Sequence, residues 1–210
     1  VFFATTVNYL DRNVLGLLPT TLSDDGVFGA DKATQDLNYS TVVICLQLAS
    51  ALGLVFAKVG RVPGNAYTKR YYRKLNRYAA ALALVADTSM LVLGGKLKFK
   101  EKISARLGDV LSNLYIASAM LKRYEDQGRP ATDQPLLAWA FHDCVYRMQD
   151  ALDGVLRNFP VRPVAWLLRA LVFPFGRREV PPSDRLGRRV SALLTAPNEA
   201  RSHLIAGIYL

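Results

Sequence analysis

His142, Asp143 and Cys144 place an imidazole, a carboxylate and a thiol at three successive positions. Those are the groups of nucleophilic catalysis and of metal sites. Successive helix positions point about 100° apart, however, so one helix cannot converge them on a substrate. They read as core or boundary residues, and His203 lies too far along the chain to be joined to them by spacing. No catalytic or metal-ligating set is expected.

Basic groups offer a second chemistry. Gly94 and Gly95 precede Lys96, Lys98, Lys100 and Lys102, a spacing that could hold phosphate, although a lone glycine pair behind a helix is better explained as a cap and turn. Lys69, Arg70, Arg73, Lys74 and Arg77 alternate with Tyr71, Tyr72 and Tyr78. They fill the first turns of a helix, where basic charge opposes the dipole; a phosphate-bearing partner and a solvated face are both open. No groove-reading or RNA-binding signature accompanies them, so nucleic acid is not an expected partner. Between residues 162 and 178, Trp166, Leu167, Leu171, Phe173 and Phe175 alternate with Arg162, Arg169, Arg177 and Arg178. Such a segment is too short to span a bilayer. It either meets an anionic membrane surface or plugs the end of a helical bundle.

The charge that carries this chemistry is unevenly placed. The 210 residues have a formal net charge of +10. Residues 1–60 hold three basic groups (Arg12, Lys32, Lys58) against five acidic ones (Asp11, Asp24, Asp25, Asp31, Asp36), so the excess of positive charge belongs to residues 61–210. A basic surface of that size attracts phosphates, whether on nucleic acid, on a nucleotide cofactor or on anionic lipid, and does not choose among them. Cys45 and Cys144 lack redox or metal spacing and suggest a reducing compartment.

Helices must position these groups. Leu75, Tyr78, Ala79, Leu82, Val85, Ala86 and Met90 predict a helix over Thr68 to Leu93, ended by the glycine pair. Ile103, Leu107, Val110, Leu111, Leu114 and Leu121 predict a second over Lys100 to Gln127. A third begins at Thr132 or Asp133 with Pro135 in its first turn; Leu136, Ala140, Cys144, Met148, Leu152, Val155 and Phe159 form its apolar face, and Pro160 closes it. Ser183 is a plausible N-cap for an amphipathic segment over Arg185 to Leu194, and Pro197 and Asn198 separate that segment from a short tail. Ahead of all this, Val1 to Leu18 is apolar but broken by Asn8, Asp11 and Arg12, and has no basic n-region of a signal peptide. Ser40 to Ala57 is an uncharged run at the lower edge of bilayer-spanning length, readable as a membrane helix or as a buried one. The expected fold is all-α, an antiparallel helical bundle with an N-terminal apolar helical hairpin.

Two resemblances add to this. Val7 to Arg12 (VNYLDR), then Tyr39, Ser40 and Gln47 to Leu54 (QLASALGL), resemble the first two helices of a sugar-acid symporter of the major facilitator superfamily over about residues 1–58. That resemblance implies that Tyr9 and Arg12 line a substrate path. From about residue 61 to residue 210 the chain resembles the C-terminal region of bacterial long-chain acyl-coenzyme A dehydrogenases. The resemblance is carried by Lys69 to Tyr78 (KRYYRKLNRY), Ile103 to Leu111 (ISARLGDVL), Arg157 to Pro160 (RNFP), Phe173 to Arg177 (FPFGR), Pro182 to Leu186 (PSDRL) and Pro197 to Arg201 (PNEAR). It implies FAD-dependent oxidation of a fatty acyl-CoA to the trans-2-enoyl thioester in β-oxidation, with acyl-CoA and FAD as partners of the whole enzyme.

In that family the catalytic glutamate and the flavin contacts lie upstream of the matched region. Glu101, Glu125, Glu179 and Glu199 stand in polar contexts where exposure is expected, and none is nominated as the base. The expectation is therefore two units, a transporter-like pair of helices at 1–60 and a dehydrogenase C-terminal helical domain at 61–210. That second unit should bind no FAD and be inactive alone. The other readings are a membrane-anchored helical scaffold, or a fragment of a transporter. The expected location is the cytoplasmic side of a bacterial inner membrane, peripheral or anchored by residues 1–58. The membrane-surface candidates are Trp166, Leu167, Arg169, Phe173, Phe175, Arg177 and Arg178.

Overall fold

Three long helices, each ended where glycine or proline interrupts an apolar stripe, carry most of the chain that the computed structural model describes, residues 64–205. They are α1 (Lys69–Leu93), α2 (Glu101–Asp126) and α3 (Gln134–Arg157), followed by the shorter α4 (Arg162–Val172), α5 (Asp184–Thr195) and α6 (Glu199–Ile205). Among the described residues there are six α-helices and no strand, which is the all-α bundle expected. The apolar hairpin, Tyr9, Arg12, Cys45, the run from Ser40 to Ala57 and the expected boundary between residues 60 and 61 lie outside the described residues.

Short links make the long helices antiparallel. Gly94 takes φ 50° beyond α1, and a 3₁₀ turn over Gly94–Phe99 leads into α2, so the glycine pair is the cap and turn its position suggests. At the opposite end, the Thr68 hydroxyl donates to Glu125 Oε1 at 2.6 Å, tying the start of α1 to the end of α2. Gly64, at φ 100°, is needed there because a Cβ would collide with Thr68 Oγ1. The start of α2 meets the end of α3 where Arg106 crosses Gly154, and a Cβ on Gly154 would stand only 2.8 Å from Arg106 Nε.

The core lies between the three long helices, with Val85, Val110, Leu121, Phe141, Met148 and Leu152 fully buried. The stripes are one step out of phase with expectation in places. On α1 the inner line passes through Val85 and Ser89, so Met90, about 100° further round, is 45% exposed. On α2 Val110 and Leu114 take the inner line, and Leu111 is exposed for the same reason. On α3 Leu137 and Phe141 are buried at the positions assigned to the half-buried Leu136 and Ala140. The segment Lys69–Leu97 is long and apolar enough to cross a membrane, with mean hydropathy 1.5, and half of its apolar window is buried in the bundle. α4 and α5 pack against α3. Ser183 caps α5, its hydroxyl accepting from Leu186 N at 3.4 Å. In the tail, Glu199–Ile205 is helical and capped by Asn198, whose Oδ1 accepts from Arg201 N at 2.9 Å.

Candidate functional site

Two polar residues interrupt the apolar face of α3, and they anchor α4 and the loop after it. Gln149 and Asp153 are four apart, so they stack on one face among Val145, Met148 and Leu152, and both are almost completely buried. A buried polar group must be partnered. Asp153 collects three guanidinium groups: Arg157 Nε at 2.8 Å and Arg177 Nη1 at 3.2 Å from Oδ2, and Arg169 Nη1 at 2.9 Å from Oδ1. The Arg169 pair is out of hydrogen-bond alignment, so it acts through charge. Arg177 also reaches Asp150 at 2.8 Å. This hub ties α4 and the loop after it to α3.

Gln149 does the equivalent for the next stretch of that loop. Its Nε2 donates to Glu179 O at 2.8 Å, and its Oε1 accepts from Arg178 N and Glu179 N, both at 2.9 Å. One side chain thus satisfies three backbone groups and fixes residues 178–179 above α1. A cleft of about 110 Å³ opens between that loop and α1, lined in part by Lys74, Arg77, Tyr78, Phe173, Arg178 and Glu179. Lys74 Nζ pairs with Glu179 at 2.6 Å, and Arg77 Nη2 donates to Val172 O at 3.2 Å. The Arg178 guanidinium lies over the Phe175 ring, 4.5 Å from its centroid. Burial, then the Glu179 charge, pushes the Tyr78 hydroxyl far above its ordinary range, so it stays protonated.

The basic cluster on α1 is thus only partly a solvated face. Arg70 stacks on Tyr67 and Tyr71 at 4.7 and 4.8 Å and donates to the Tyr71 hydroxyl at 3.0 Å, while Lys74 and Arg77 line the cleft. Lys69 and Arg73 are exposed.

The candidates for a membrane surface divide between two faces. Ala165, Leu168, Val172 and Phe173 turn inward and plug the end of the bundle, so Phe173, 8% exposed, leaves the surface set. Trp166, Leu167 and Phe175 are 69%, 63% and 72% exposed. Arg169 and Arg177 are held by acids, whereas Arg178 lies over Phe175, and Arg162, exposed one turn before Trp166, donates to Arg157 O at 2.8 Å.

The remaining candidates are accounted for individually. Cys144 is buried, which raises its thiol pKa, and it has no part in the cleft. His142 is half-buried with its ring edge-on to Tyr71 at 6.5 Å. Glu125 and Glu179 are not the exposed carboxylates expected: their side chains are 14% and 19% accessible, because Arg129 and Thr68 cover one and Lys74 covers the other. Glu101 and Glu199 are exposed in the first turns of α2 and α6. Among the described residues no group of three His, Cys, Asp or Glu side chains converges as a metal site requires. Sequence reading did not single out Gln149, Asp153 or the pairing role of Glu179. The signal for the first two was present, as polar residues four apart on an apolar stripe.

A family model described as the C-terminal region of acyl-CoA dehydrogenase, bacterial type, matches residues 40–210. The matched region begins at Ser40, the first residue of the apolar run, and the likeness of residues 1–58 to transporter helices finds no support. No solved structure matches the chain.

Proposed function

The chain belongs to the bacterial-type acyl-CoA dehydrogenase C-terminal family, and we propose on that ground that it is the C-terminal helical portion of an FAD-dependent enzyme of fatty-acid β-oxidation. In this reading the whole enzyme converts a fatty acyl-CoA to its trans-2-enoyl thioester, and the present portion does not turn over alone. The family match carries the identity, and the disposition of the glutamates supports the absence of turnover. Abstraction of the α-proton needs a carboxylate free to approach the α-carbon, opposite a flavin. Glu125 and Glu179 are engaged by Arg129 and Lys74, and Glu101 and Glu199 stand on the open surface. The described cleft would not enclose FAD: about 110 Å³ falls well short of the roughly 300–1,000 Å³ of sites that enclose small organic ligands. No step of the oxidation is therefore assigned to these residues. The test is to incubate the purified chain with FAD, desalt it, and assay dye reduction with palmitoyl-CoA. The expected result is no retained flavin absorbance and no reduction; turnover would contradict the reading.

A second reading, peripheral attachment to the cytoplasmic face of the membrane, is favoured by the exposed pair Trp166 and Leu167 on α4. An indole and a leucine side by side suit shallow insertion at the headgroup level. Sedimentation with anionic vesicles should carry the chain down and should fail for Trp166→Ala combined with Leu167→Ser. Co-sedimentation unaffected by that pair would rule out α4 as the contact.

A further inference from the structure

We propose that the cleft between α1 and the loop over residues 172–179 is a binding site for a phosphate group, carried on a phosphate ester or a diphosphate. The inference is independent of the oxidation assigned above, which uses no residue of this cleft. Lys74, Arg77 and Arg178 converge on it, and Glu179 is the one acid among its lining residues. The cleft therefore holds a surplus of two positive charges, which a phosphate dianion would cancel. Its volume of about 110 Å³ suits one such group.

Three features preorganise it. Gln149 grips the backbone of residues 178 and 179 through three hydrogen bonds, so the loop cannot swing its cation away. Gly176, at φ 75°, makes the turn that brings Arg178 over Phe175; a Cβ there would meet nothing, so the backbone conformation selects the glycine. Stacking occupies the face of the Arg178 guanidinium and leaves its N–H edges for an oxyanion, the geometry in which arginine grips phosphate with two bonds. Glu179, 2.6 Å from Lys74, holds that ammonium in place and gives it up to a stronger anion.

The charges next door behave differently. Arg177 immediately precedes Arg178, but its guanidinium is committed to Asp150 and Asp153 and it is absent from the cleft lining. This separates a built site from general basicity. Isothermal titration of the 210-residue chain with sodium pyrophosphate, at matched ionic strength, should show saturable 1:1 binding. Arg178→Ala should weaken it by about tenfold, the scale of one charge-assisted hydrogen bond. Arg178→Lys should recover part of the loss, Glu179→Gln should tighten binding, and Arg73→Ala, exposed on α1 and outside the cleft, should leave it unchanged. A parallel arm with phosphatidate and phosphatidylcholine vesicles identifies the source: an Arg178-dependent response to pyrophosphate marks a soluble phosphate, and one seen only with phosphatidate marks a headgroup. The proposal is overturned if neither probe binds, or if Arg73→Ala weakens binding as much as Arg178→Ala.

Discussion

Two basic regions sit on either side of the loop after α4, and they use arginine for opposite ends. At Asp153 three guanidinium groups surround one buried carboxylate, and a second acid, Asp150, shares Arg177. Across the loop, Lys74, Arg77 and Arg178 share only Glu179. The first region is near balance and holds helices together. The second has charge left over and a space beside it. Net charge alone does not separate the two, because the distinction lies in which cations already have acids.

The comparison can be broken most severely at its acidic centre. Asp153→Asn keeps the side-chain volume but removes the charge that three arginines share. Those arginines are partly exposed, which limits their loss, so the expected destabilisation is about 2–3 kcal/mol, read from the urea midpoint. Arg157→Ala, which leaves two partners in place, should cost no more than about 1 kcal/mol. Gln149→Leu strikes both regions, because it strands three backbone groups of the loop. It should cost about 2 kcal/mol and abolish pyrophosphate binding together with the fixed loop.

A subtler test uses pH. Burial, then the charge of Lys74, lowers the His142 pKa from 6.5, with Glu179 pulling the other way and Arg70 adding to the depression. The unfolded chain then takes up the proton first as the pH falls. His142 contributes no instability above that range, and stability declines as the pH drops below 6.5 toward the folded-state value. His142→Gln should flatten that decline in a series of thermal transitions, and pyrophosphate, by cancelling the Lys74 charge, should shrink it in the native chain. The smallest effect is expected at Trp166: its replacement by Ala should change the unfolding free energy by no more than about 0.5 kcal/mol, because the side chain is 69% exposed.

The long helices were legible because periodicity and punctuation agree. The expected Thr68 to Leu93 and Lys100 to Gln127 differ from the observed Lys69–Leu93 and Glu101–Asp126 by a residue at each discrepant end, and Ser183 caps α5 as its position suggests. Rotation about each axis was less legible. Apolar residues at Met90 and Leu111 fit a stripe as well as their neighbours do, and only the partner helix decides which of them faces inward. The site was hidden for a similar reason. Arg169, Arg177 and Arg178 look alike in sequence, and the carboxylate that separates them lies 16 to 25 positions away on another helix.

Arginine footprinting with phenylglyoxal, resolved residue by residue by mass spectrometry with and without pyrophosphate, tests the central distinction most directly. Arg178 should label fast and be protected by pyrophosphate, whereas Arg169 and Arg177, held at Asp153, should label slowly and be indifferent to it. Equal labelling of all three, or protection at Arg177 in place of Arg178, would contradict the account.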